Sequence, residues 1–380
     1  MAPLSSSITW STLRDLAAFR SANGCAVSVY VDLDPSASPT AADLETRFNS
    51  LLARGEKLAE SYSGDHDCRR ALRDDLARLR RWWDGEFERD GVRGLAVFAS
   101  SLDGLFRTLP LREHVSDGIH LGRDLRLSPL AGAVGRSDGA LVAVVSREQG
   151  RVFALVEGRL EEEVDETEET LGQHDQGGWS QARYQRHIDK LVHDHLKNVG
   201  DQLDRRARRT TDLQLVVVAP EEMRGDIEGL LSAEAREALV GWTSAESHVT
   251  PAELLEVVRP LIEEGRARRE HEILERWREE RGRGQRAAAG WEETLAAAAD
   301  ARVDVLLLEE NATREAWQCP VCGRGSASGG NCPLDGATLE QCEDGADVAV
   351  HGVLGHGGTV LALGSGALAD AAGVGALLRF

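Results

Sequence analysis

The chain has 380 residues, 42% of them hydrophobic, with 64 acidic against 44 basic side chains and a formal charge of −20. That length exceeds one ordinary core and predicts two or three domains. The acidic balance excludes indiscriminate coating of nucleic acid, which needs a positive surface. No apolar run is long enough to span a membrane, and "MAPLSSSITWSTLRDLAAF" lacks the basic start, apolar block and cleavage site of a secretory signal, so a cytoplasmic location is expected.

Residues 1–130 mix helix and strand. "CAVSVYVDL" (25–33) alternates and is rich in β-branched residues, which predicts a strand. Residues 41–60 and 69–87 have helical periodicity, and 93–100 with 105–111 read as two strands joined by Ser-Leu-Asp-Gly turn chemistry. From about 132, "GALVAVVSREQGRVFALVEGRLEEEV" predicts three short strands in a meander. A glycine loop follows, then a helix near 180–209 and a buried strand, "LQLVVVAP" (213–220). "EEMRGDIEGLLSAEAREALV" reads as helical. The tract 250–280 reads as one very long helix, with Thr250 as N-cap and Pro260 expected to interrupt or kink it. The last unit opens with "AGWEETLAAAADARVDVLLLEEN", a helix feeding a buried strand, and ends in a short strand.

Four of the six cysteines, Cys319, Cys322, Cys332 and Cys342, cluster, which in a cytosolic chain favours metal over disulfides. "CPVCGRGSASGGNCPLDG" contains two C-P-x-x-G halves, each able to form a tight knuckle relieved by Gly323 or Gly336. A tetrahedral zinc site needs four ligands. Three are Cys319, Cys322 and Cys332, and the fourth is either Asp335, in register with the second knuckle, or Cys342. No thioredoxin-like strand precedes a helix here, which disfavours a redox C-x-x-C, and a structural zinc is the expected cofactor. His351 and His356 read as surface turn residues, and Cys25 and Cys68 as small buried hydrophobes.

"HDQGGWSQARYQRHIDKL" (174–191) carries the chemistry outside that cluster. With Ser180 as N-cap, Tyr184, Ile188, Leu191, Val192, Val199 and Leu203 share a core face, and Arg183, Arg186, Lys190, Lys197, Arg205 and Arg208 lie opposite. Beyond residue 190 the i,i+4 partners Asp194, Asp201 and Asp204 make a solvated, salt-laced face the simpler reading. In the first turns Arg183 and Arg186 oppose the helix dipole, which points to an anionic partner there. Gln181 cannot act as a general base, because an amide does not titrate. It can position a water or donate to a developing oxyanion.

"GGWSQARYQR" resembles the loop of archaeo-eukaryotic class I release factors, in which Gly-Gly-Gln-Ser precedes an amphipathic helix. Gly177, Gly178, Ser180, Arg183 and Tyr184 stand where that pattern puts them. The third position is Trp179, and the nearest glutamine is Gln181, at a spacing similar to that of eukaryotic peptidyl-tRNA hydrolases of ribosome-associated quality control. The resemblance places the chain in a bacterial branch of the superfamily. It implies a mixed α+β (α/β) fold of three domains. These are an N-terminal α/β domain (1–130), an RNase H-like middle domain carrying the loop (131–280), and a C-terminal α/β sandwich like a kink-turn-binding protein (281–380) with a zinc ribbon inserted at 317–342. "AGVGALLRF" looks like the strand that closes the last sheet. Residues 1–130 contain no Asn-Ile-Lys-Ser-type codon-reading motif. The implied function is a monomeric ribosome A-site factor, partnered by peptidyl-tRNA and a translational GTPase, that promotes hydrolysis of the peptidyl-tRNA ester. In it Gly177, Gly178 and Gln181 serve catalysis, and Trp179, Arg183, Arg186 and Lys190 bind RNA. The rival is a non-catalytic dormancy or stress factor that occupies the same site, and a weaker third reading is a zinc-ribbon protein that binds another protein.

Overall fold

The computed structural model describes residues 8–380 apart from 24, 37, 63, 90–91, 112–113, 138, 147–148, 157, 168–195, 209–212 and 246–248. It forms two compact units, Met1–Arg136 with Leu274–Phe380, and Ser137–Ile273. The fold is mixed α+β.

The chain begins with α1 (Trp10–Ala17), β1 (Ala26–Asp32), α2 (Ala41–Ser61) and α3 (His66–Gly85), followed by β2 (Gly94–Ser100), β3 (Leu105–Leu111) and β4 (Gly118–Gly122). The strands form an antiparallel sheet in the order β3-β2-β1-β4. Thr40 and Asp43 start α2 with a reciprocal capping box, and Asp65 caps α3 by accepting the Cys68 N–H at 2.7 Å. Every residue of β1 except Asp32 is buried. Its alternation sorts residues between two cores: Val27, Val29 and Val31 face α2 and α3, while Ala26 and Tyr30 join a core shared with the C-terminal elements. The sequence reading passed over α1 and β4.

The second unit follows α4 (Ser128–Ser137). It contains β5 (Ala140–Val145), β6 (Gln149–Val156), β7 (Arg159–Thr167), a helix α5 over 196–207, β8 (Gln214–Val218), α6 (Arg224–Leu230), α7 (Ala233–Glu237) and β9 (Leu239–Thr243), and α8 (Pro251–Gly282) starts in it. The order is β7-β6-β5-β8-β9. The first three strands are the expected antiparallel meander, and β5, β8 and β9 run parallel. Leu196, Val199 and Leu203 cover one face of the sheet, and Leu254, Val258 and Ile262 the other. A strand buried on both faces reads as an unbroken apolar run, as "LVVV" (215–218) does.

One expectation fails here, and of the two outcomes expected at Pro260 the interruption does not occur. "EEMRGDIEGLLSAEAREALV" is not one helix: Ser232 caps a fresh turn by accepting the Ala235 N–H at 3.2 Å, and the run ends in β9. Helix α8 also runs on through Pro260. Pro260 is exposed, so the carbonyl it leaves without an N–H partner faces solvent. Thr250 does form the expected cap, in a box with Glu253.

The first unit resumes with the end of α8, then β10 (Ala287–Ala289), α9 (Gly290–Ala299), β11 (Val303–Glu309), β12 (Ala316–Gln318), β13 (Gly325–Ser326), β14 (Glu340–Cys342), α10 (Gly345–Gly355), β15 (Thr359–Leu363) and β16 (Val374–Leu378). The larger sheet has the order β10-β16-β11-β15, so the C-terminal strand lies inside it rather than at its rim. Trp277, 1% exposed, donates to the Ala288 carbonyl at 2.9 Å and packs where a Cβ on Gly375 would stand. The small sheet β13-β12-β14 carries the cysteine cluster.

Candidate metal centre

Each half of "CPVC…CPLD" folds into the same turn. In the first, the Gly323 N–H donates to the Cys319 carbonyl at 3.0 Å and the Cys319 N–H to the Arg324 carbonyl at 2.9 Å. In the second, the Gly336 N–H donates to the Cys332 carbonyl at 2.9 Å and the Cys332 N–H to the Ala337 carbonyl at 2.8 Å. Gly323 and Gly336 have φ of 78° and 75°, the left-handed region that disfavours a Cβ. The repeated sequence thus makes a repeated knuckle.

The two knuckles meet face to face. Ligand atoms of Cys319, Cys322, Cys332 and Asp335 all lie within 4.8 Å of one another. Cys322 Sγ is 3.5 Å from Cys332 Sγ, and Cys319 Sγ is 3.2 Å from Asp335 Oδ2. A tetrahedron with metal–sulfur bonds of about 2.3 Å has edges near 3.8 Å; the two closest contacts are a little shorter than this and the whole set lies within 4.8 Å, a spacing that one ion can draw together. The Ala337 N–H, followed by the thiols of Cys322 and Cys319, holds the Asp335 carboxyl down at about 2, so it is an anionic donor at neutral pH. Three thiolates and a carboxylate suit one divalent ion. Cys342, the alternative fourth ligand, stands outside this group. It pairs with Ala316 across β14 and β12 and packs, half-buried, against the core.

Two arginines hold the centre, and the sequence reading missed both. Arg20, just after α1, donates to the Cys319 carbonyl at 3.0 Å, the Pro320 carbonyl at 3.3 Å and the Asp124 carboxylate at 2.9 Å. Arg324 reaches the Ala299 carbonyl at 3.1 Å and Asp300 at 2.7 Å, tying the first knuckle to the end of α9. No local pattern marks Arg20, which lies far from the cysteines in sequence.

The segment after β4 is gripped beside this centre. The Leu127 and Ser128 N–H groups donate to Asp347 at 2.6 and 2.9 Å, Arg126 pairs with Asp344, and Tyr30 donates to the Arg126 carbonyl. His351 belongs to this grip: its Nε2 lies 2.5 Å from the Leu125 carbonyl oxygen. It is therefore a packed residue of α10 and not the surface turn residue expected. The i,i+4 pair Asp347–His351 within an otherwise apolar helix was the available signal. His356, at the end of α10, is exposed as expected.

Gly177, Gly178, Trp179, Gln181, Arg183, Arg186 and Lys190 lie outside the described residues. Among the described residues, no helix is long and apolar enough to cross a membrane.

Comparison with known proteins finds similarity over part of the chain. Residues 126–266 match the model of bacterial archaeo-eukaryotic release factor family 10. A relative, peptide chain release factor subunit 1 of Archaeoglobus fulgidus, is 29% identical over 193 residues, 48% of this chain and 46% of its own, so the chain spans about half the length of that relative. Among solved structures, the archaeal translation termination factor aRF1 is similar at 16% identity and a TM-score of 0.28, over 98% of this chain and 99% of that one. Dom34 of S. cerevisiae is similar at 12% identity and a TM-score of 0.39, over 76% and 79%. The similarity to bacterial archaeo-eukaryotic release factor family 10 thus lies over residues 126–266, a little over a third of the chain.

Proposed function

We propose that this protein enters the ribosomal A site and promotes hydrolysis of the peptidyl-tRNA ester. The observation that carries this reading is the family match over 126–266, a segment that contains Gly177-Gly178-Trp179-Ser180-Gln181. In this reading residues 1–130, 131–280 and 281–380 act as three domains, and the middle one presents the loop. Gly177 and Gly178 permit close backbone approach, Gln181 orients the attacking water, and Arg183, Arg186 and Lys190 contact RNA phosphates. Water adds to the ester carbonyl, the bond to the tRNA ribose oxygen breaks, and the peptide leaves as a carboxylic acid. The ribosome supplies much of the catalytic environment, so the factor needs no triad of its own. A zinc ion on Cys319, Cys322, Cys332 and Asp335 stabilises a small segment that has little core. A translational GTPase delivers the factor, and the setting is cytoplasmic.

Trp179 favours a second reading. An indole at the position where release factors carry glutamine can stack on a nucleobase and block the site without chemistry, as a dormancy factor would. The deciding experiment is release of labelled peptide from purified ribosomal complexes, with wild type and Gln181→Ala compared at matched ribosome occupancy. Hydrolysis predicts release by wild type and none by the variant. Equal binding with no release by either supports the occupying factor, and no binding by either removes both readings.

A further inference from the structure

Of the six cysteines, all free, Cys322 is the exposed one, and its sulfur is 3.5 Å from that of Cys332 on the opposite knuckle. We propose that Cys322 and Cys332 are an oxidation site, in which a peroxide converts the pair into a disulfide and thereby expels the metal ion.

Three features of the chain support this. First, access and partner coincide: an exposed sulfur, held as a thiolate when it ligates a metal ion, with a second sulfur at contact distance is the arrangement of a peroxide-reactive cysteine beside its resolving cysteine. The other five thiols lack it, since Cys25, Cys68, Cys319 and Cys332 are buried and Cys342 is half-buried on β14. Second, the donors are unequal. Asp335 is a carboxylate in a set otherwise made of thiolates, so removing two sulfurs leaves one thiolate and one carboxylate, too few donors to retain a zinc-like ion. Third, the knuckles can close on each other. The first is anchored by Arg324 and β13, and the small residues that follow, "ASGGN" (327–331), leave the second knuckle to move the short way from sulfur contact to a bond of about 2.0 Å.

The chemistry balances. The Cys322 thiolate attacks one peroxide oxygen, which gives a sulfenic acid and hydroxide. The Cys332 thiolate then attacks the Cys322 sulfur, forms the S–S bond and expels a second hydroxide. With hydrogen peroxide the sum is two thiolates, one peroxide and two protons giving one disulfide and two waters. A dithiol reductant reverses the change and restores the ligands. The consequence reaches beyond the knuckle, because Arg20 holds the Cys319 and Pro320 carbonyls and Asp124 together.

The test uses the full zinc-loaded chain treated with one equivalent of hydrogen peroxide. Released zinc is followed with a chromogenic chelator, and disulfides are mapped by mass spectrometry after alkylation of free thiols. The expected result is one zinc released per chain, in step with a 2 Da mass loss assigned to Cys322–Cys332, and rebinding of zinc after reduction. Cys342→Ser should behave identically. A Cys319–Cys322 disulfide, sulfinic or sulfonic acid at Cys322 without a disulfide, or zinc retained after the pair is oxidised would each overturn the proposal. A chain that takes up no zinc but still forms the Cys322–Cys332 bond would overturn the metal-release half.

Discussion

Arg20 donates to the Cys319 carbonyl at 3.0 Å across a separation of 299 residues. The same carbonyl accepts the Gly323 N–H at 3.0 Å, so this guanidinium braces the turn that points two sulfurs at one place. Its other end is neutralised by Asp124 at 2.9 Å, and the group bridges the end of α1, the segment after β4 and the first knuckle.

Arg20→Ala removes this brace and strands the Asp124 carboxylate. Hydrogen bonds to charged groups contribute about 1.5–3 kcal/mol, and the Arg20 side chain keeps 26% of its exposure. A loss of about 1–2 kcal/mol in urea unfolding is therefore expected after discounting for solvent. Zinc affinity, read by competition with a chelator, should fall as well. Unchanged affinity would show that the knuckle is rigid without Arg20.

Asp335→Ala and Cys342→Ser separate the two candidates for the fourth ligand. Asp335 lies 3.2 Å from Cys319 Sγ, whereas Cys342 is outside the group. The first substitution should weaken zinc binding by at least about tenfold, on the scale of lost metal-site support. The second should leave it unchanged. The reverse pattern would transfer the ligand role to Cys342.

The two knuckle glycines should respond differently to alanine. Both have left-handed φ, so each substitution costs about 1–2 kcal/mol of backbone strain. A Cβ on Gly336 meets nothing within 4 Å, whereas one on Gly323 would stand 2.9 Å from Arg20 Nη1. Gly323→Ala should therefore be the more damaging of the two, in thermal unfolding and in zinc uptake. In an Arg20→Ala background the difference should shrink, which a double-mutant cycle measures.

Asp75 on α3 gives a pH signature. It is 1% exposed; Oδ2 accepts the Ser101 N–H at 2.9 Å and Oδ1 has no hydrogen-bond partner. Burial is the largest influence and raises its pKa against the opposing Ser101 bond. Because the folded value is above the unfolded one, the stabilising share is complete below about 3.9 and is lost as pH climbs through the raised folded value. Asp75→Asn does not titrate. Its stability relative to wild type should therefore rise between pH 4 and pH 7.5 in urea unfolding, and a constant difference would place Asp75 in a solvated setting.

Local patterns carried much of this architecture. The three meander strands, the capping box at Thr250 and the paired knuckles are all visible within short windows, because turn chemistry and side-chain periodicity act between near neighbours. The errors are of a different kind. "EEMRGDIEGLLSAEAREALV" has helical composition, yet its end is recruited by β8 as a parallel neighbour. Pro260 predicts an interruption or a kink; the interruption does not occur, and Leu254, Val258 and Ile262 on either side of it pack into one core. His351 looks like a turn residue until α10 is seen to carry it onto the Leu125 carbonyl.

By itself the sequence determined the knuckle turns, three of the four clustered donors and the capped helices. Each of these depends on residue types a few positions apart. Only the tertiary structure brought Asp335 to the thiols while seating Cys342 against the core, set Arg20 on the Cys319 carbonyl, and placed the C-terminal strand between β10 and β11. Those relationships join residues that are distant in sequence. They arise because residues near the N-terminus, such as Tyr30 and Phe98, bury their side chains in the same core as Leu306 and Val350, and burial of apolar surface is indifferent to where in the chain that surface comes from.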